Sequence, residues 1–157
     1  MDSTVVRTAY AEFLAVAEAG TFAPPPPGEW DASHLLAHIY TTHAHITSVA
    51  LQVIAGQRPA YDNRSSLDEW NLRRVISAAG DLPGLISLVR WGGDLHCTVV
   101  EQLSDAHAEV LVPVLIISNN DLIVDQPWPL GQLAQGIGTI HLPRHTDQLR
   151  SLLPVNA

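Results

Sequence analysis

The chain has 157 residues and a formal net charge of -8, from eight arginines, no lysine and sixteen acidic residues. With 46% hydrophobic and only 15% charged residues, the composition predicts one packed domain over residues 1–157 and argues against extensive disorder. A nucleic-acid surface needs a basic stripe, and the arginines are scattered singly apart from Arg73-Arg74, so no nucleic-acid partner is expected.

The opening Met1-Asp2-Ser3-Thr4 has neither a basic nor an apolar leader character, and a first helix is predicted from Ser3 to Ala19. Val5, Ala9, Phe13 and Ala17 recur there at every fourth position, and Gly20 supplies a stop. Pro24 to Pro27 form a stiff connector. A long apolar helix opens at Trp30-Asp31 and runs to about Gly56. Gln57 to Ser66 reads as a loop, and Leu67 to Ala79 as a short helix ended by Gly80. A third long helix is expected from Leu82 to Leu103, with Gly92 and Gly93 interrupting it at roughly 1 kcal/mol each relative to alanine, a cost that points to a kink or a close approach. Val110 to Val124 changes character: branched residues flank Ser118-Asn119-Asn120-Asp121, which favours a small hairpin closed by Pro127 and Pro129. The last helix runs from Leu130 to about Leu153. No run approaches the roughly 18 apolar residues of a membrane span, and the single Cys97 can form no intramolecular disulfide. A cytoplasmic protein with no membrane partner is expected.

The chemistry concentrates in Ile140-His141-Leu142-Pro143-Arg144-His145. At about 100° per residue, His141, His145, Leu149 and Leu152 fall within about 80° of one another, so two imidazoles point where leucines point. Buried polar rings need partners, and an i, i+4 pair can be satisfied by one metal ion. The third ligand is sought on the second helix. With His34 set to zero, His38 lies near 40°, closest to the apolar sector, His45 near 20°, and His43 near 180° on a different side. His38 is therefore taken as the third ligand, with His34 and His45 as weaker substitutes. Pro143 stands between the paired histidines and predicts a kink or restart near His141.

The order Trp-x7-His on a second helix, a hairpin, then His-x3-His-Thr-Asp-Gln-Leu resembles the DinB-like metal-binding four-helix bundle superfamily. Glu29-Trp30-Asp31 to His38-Ile39 and Gly138-Thr139-Ile140-His141 to Gln148-Leu149 resemble its mycothiol-dependent maleylpyruvate isomerase branch. The resemblance implies an all-α four-helix bundle with a small β-hairpin before the last helix. It also implies one divalent metal, most often zinc or nickel, on His38, His141 and His145. The activity implied is a thiol-dependent S-transferase or isomerase using a metal-held thiolate, with mycothiol as cosubstrate and a small electrophile as substrate. The chain ends soon after the histidine helix, so substrate contacts that isomerase-branch proteins often draw from a further C-terminal domain are not expected.

Three neutral imidazoles leave one coordination position open. A thiol entering there loses its proton near neutral pH; water in the same place would give a metal-dependent hydrolase instead. The absence of a glutamate in His-Leu-Pro-Arg-His disfavours a metalloprotease. His96 reads as a buried, hydrogen-bonded core histidine and Cys97 as a small core residue. The four tryptophans read as core or lid packing, with His34, His96 and Trp128 as possible additions to a pocket near the hairpin. A different class of reading is a non-catalytic metal-stabilised bundle that binds a small molecule or a protein partner; mean hydropathy is slightly positive at +0.12, which favours an exposed apolar patch and a homodimer.

Overall fold

A computed structural model describes residues 1–154; the last three residues of the predicted 1–157 domain lie outside the described residues. The fold is mostly helical with a small three-stranded sheet. The helices are α1 (Thr4–Glu18), α2 (Ala32–Ile54), α3 (Glu69–Ala79), α4 (Leu82–Gln102), α5 (Asp105–Ala108), α6 (Leu130–Gly136) and α7 (Leu142–Ser151), and a π-helical turn, Ile137–His141, joins the last two. α2 packs against α3, α4, α6 and α7, while α1 packs against α4, α7 and the π turn. Four long helical segments thus surround the core, with α3 laid on the outside.

Local chemistry sets the helix starts. Asp31, Asp68 and Asp81 each cap a helix by accepting the backbone N–H three residues on, from His34, Asn71 and Gly84 respectively. In α1 Ala9, Phe13 and Ala17 are buried as the fourfold spacing anticipates, joined by Val6, Tyr10 and Leu14, whereas Val5 is 52% exposed; the spacing fails only at its first member. α4 runs unbroken through Gly92 and Gly93, and of the two only Gly93 marks a close approach. An ideal Cβ on Gly93 would stand 2.8 Å from the Tyr10 ring.

The hairpin consists of β2 (Leu111–Ser118) and β3 (Asp121–Pro129), paired antiparallel. Its two-residue turn, Asn119-Asn120, takes φ of 51° and 66°, the left-handed backbone that asparagine tolerates and a tight hairpin requires. Pro127 and Pro129 pair within β3, opposite Pro113 and Leu111, and do not close it. The region expected to be loop contributes a further strand, β1 (Tyr61–Asp62), parallel to β2, followed by a 3-10 turn, Asn63–Ser66. Asn63 fastens that turn to the hairpin: its amide donates to Ile117 O at 2.8 Å and its carbonyl accepts from Ile117 N at 2.9 Å. The sheet therefore has one strand more than a bare hairpin. No described helix is long and apolar enough to cross a membrane.

Candidate metal centre

His38 comes from the middle of α2, His141 from the end of the π turn and His145 from the first turns of α7. Pro143 lies in the first turn of α7, where its missing N–H removes an α-helical bond. The Leu142 N–H reaches back to Ile137 O, five residues away, and this widened turn sets the direction from which His141 approaches His38.

Each ring has one nitrogen held by the protein and one turned to a common point. His38 Nδ1 donates to Ser66 O at 2.7 Å. His145 Nδ1 donates to the Gln148 side-chain oxygen at 2.9 Å, and the Gln148 amide reaches Glu29 at 3.5 Å. His141 Nδ1 lies 3.0 Å from His43 Nε2. The Nε2 atoms of His38 and His141 are 3.1 Å apart, and one potential ligand atom from each of His38, His141 and His145 lies within 4.8 Å of the others. Two imidazole nitrogens bound at about 2.05 Å to a tetrahedral ion stand about 3.3 Å apart, close to the His38–His141 separation, and the three rings lie close enough together to hold a metal ion. Ring orientation by outer partners, here Ser66, His43 and Gln148, is the usual companion of histidine ligation.

Burial keeps these rings neutral, as ligands must be. It pushes His38 down to about 4, reinforced by neighbouring His145. Burial also holds His141 well below the ordinary imidazole range, with His43 adding to the effect, and it lowers His145. His38 is buried while His141 and His145 are half-buried, so the cluster is reached from the side of the π turn and α7.

The remaining histidines take other roles. His34 is held by Asp31 at 2.9 Å and Glu69 at 3.4 Å, and His45 packs on Tyr61 with ring centroids 5.2 Å apart; neither joins the cluster. His96 is fully buried, bonded to Thr47 at 2.9 Å and facing Ala134 O at 3.4 Å, a core histidine with satisfied polar atoms and not a pocket residue. Trp128 pairs opposite Val112 in the hairpin and packs on the core. The tryptophan beside the cluster is Trp30, whose ring centroid is 4.9 Å from that of His38. Trp70 and Trp91 are 65% and 61% exposed, which corrects their reading as core or lid. His43, set aside on the helical wheel, is buried and touches the cluster directly. Among the described residues no carboxylate, cysteine or fourth histidine joins the group. Comparisons with protein-family profiles, curated proteins and solved structures found no match.

Proposed function

We propose that this chain is a divalent-metal protein of the DinB-like kind, holding zinc or nickel on His38, His141 and His145, and acting on a low-molecular-weight thiol and an electrophile as an S-transferase or isomerase. The observation that supports it best is the convergence of three neutral imidazoles with no fourth protein ligand among the described residues. Structural zinc sites are closed by four protein ligands, and catalytic ones keep a position free. A bound divalent ion would supply positive charge that favours the anionic form of an entering thiol near neutral pH.

The chain's own residues orient and shield. Ser66 O, His43 and Gln148 fix the three rings, and Trp30 walls the buried side against His38. His141 and His145, both half-buried, would leave the approach for a thiol, whose proton would pass to solvent. Glu29 is linked to the site only through Gln148, so it stands as an orienting group and not as a base in contact with the reacting sulfur. That arrangement favours thiol addition over hydrolysis, which calls for a base beside the attacking water.

Mycothiol is the proposed cosubstrate by resemblance, and a simple analogue serves as the first probe. Titrating cobalt-substituted protein with that thiol should produce a sulfur-to-metal charge-transfer band. The titration belongs in a Cys97→Ala background, although Cys97 is itself buried. Absence of the band with cobalt bound and the fold intact would replace thiol transfer by the second reading, a metal-stabilised partner-binding bundle. That reading has its own support in the exposed apolar residues Leu111, Leu122 and Ile123 of the hairpin.

A further inference from the structure

The side chains Tyr10, His43, His141 and His38 form one hydrogen-bonded series that ends on Ser66 O. Its direction is fixed from one end. A carbonyl can only accept, so His38 carries its proton on Nδ1 and presents a bare Nε2. His141 Nε2 at 3.1 Å must then donate to it, which leaves His141 Nδ1 bare. That nitrogen accepts from His43 Nε2 at 3.0 Å, and His43 Nδ1 in turn accepts from the Tyr10 hydroxyl at 2.6 Å. The tautomers follow from the partners, as they must where hydrogens are not observed. In this state every polar atom of the series has a partner, and all bonds run from Tyr10 toward Ser66.

We infer that His43 and Tyr10 are positioning residues of the metal centre, forming a relay whose direction reverses when a divalent ion is held by His38, His141 and His145. The inference rests on the proposed metal reading. His141 cannot donate from Nε2 and offer that nitrogen's lone pair at once. In the loaded site its proton belongs on Nδ1, donated to His43 Nε2; the His43 proton then belongs on Nδ1, donated to the Tyr10 oxygen. No group titrates in this exchange. The proton on His141 Nε2 leaves to solvent, each remaining proton of the relay shifts one place, and solvent returns one proton to the Tyr10 oxygen. Tyr10, His43, His141 and His38 each hold one proton before and after.

The consequence is that Tyr10, in the core of α1 and with no contact to the three-histidine group, changes from donor to acceptor on metal binding. Its burial holds the phenol well above its ordinary range, so it keeps its proton in both states. Its ring also lies against Gly93, where even a Cβ would not fit, which holds the hydroxyl on His43.

Long-range proton–nitrogen NMR of the full nitrogen-15-labelled chain, with and without zinc, reads each histidine tautomer directly. Without metal, His43 should carry its proton on Nε2; at zinc saturation the signal should switch to the Nδ1-protonated form. Zinc shifts on His38 and His145 with His43 unchanged would overturn the relay while leaving the metal centre intact. If zinc shifts none of these rings, the metal reading fails and the relay falls with it. As a second readout, His43→Leu should weaken zinc binding by about 10- to 100-fold, the range typical of outer-shell partners. His43→Gln, whose side-chain oxygen can accept from His141 Nδ1, should recover most of that loss. Equal losses in the two variants would reduce His43 to a packing residue and contradict the inference.

Discussion

Gly93 on α4 faces the ring of Tyr10 on α1 so closely that a Cβ at position 93 would stand 2.8 Å from both Cδ1 and Cε1 of that ring. The ring cannot swing aside cheaply, because its hydroxyl is bonded to His43 at 2.6 Å. Gly93→Ala should therefore destabilise the fold by about 1–3 kcal/mol, the usual range for overpacking a core, despite the better helix propensity of alanine. Neighbouring Gly92 has ordinary clearance, its nearest contact being 3.4 Å from Tyr40. Gly92→Ala should stabilise by up to about 1 kcal/mol. Thermal or urea unfolding of the two variants checks the opposite signs; a stabilising Gly93→Ala would refute the close-contact account.

Acid should begin to weaken the metal-free protein above the range where carboxylates titrate. Burial pushes His96 and His38 down to about 4 from the ordinary 6.5. With the folded-state value depressed, the unfolded chain takes up the proton first as pH falls. The stabilisation is thus fully present above 6.5 and lost progressively between 6.5 and about 4. For His96, which is fully buried, the loss across that window is on the order of 3 kcal/mol. Urea midpoints of the metal-free protein should fall between pH 7.5 and pH 5, and identical midpoints would contradict the burial of neutral histidines.

Much of this was legible from residue patterns. Helical spacing and caps predict every long helix to within a few residues, and Asn119-Asn120 predicts the hairpin. His38, His141 and His145 are recognisable because each lies near an apolar stripe. His43 was hidden for a physical reason: a helical wheel assumes one buried face, whereas α2 is packed by α3, α4, α6 and α7, so a residue opposite His34 is also inside. The partners of His96 and His43 are Thr47 on α2 and Tyr10 on α1, long-range pairings that spacing does not encode. The strand β1 was likewise hidden, since two residues carry no alternation and Tyr61–Asp62 is a strand only because β2 lies beside it. Pro143 foretold a disturbed helix, and the π turn is the form it takes.

Duplex DNA should not bind tightly at physiological salt. The formal net charge is -8, with eight arginines and no lysine, and several of those arginines are already paired with acidic neighbours, among them Arg7 with Glu101 and Arg64 with Asp62. Phosphate neutralisation can therefore supply little affinity. A fluorescence-anisotropy titration should show no submicromolar complex; a salt-sensitive submicromolar one would contradict this.

The central claim is that His38, His141 and His145 hold a divalent ion, and metal analysis of protein purified without chelator tests it most directly. The account predicts about one ion per chain, loss of most of it in His141→Ala, and near-normal content in His34→Ala, whose ring is engaged by Asp31 and Glu69 and stands outside the cluster. Near-stoichiometric metal retained when all three ligand histidines are replaced by alanine would contradict it.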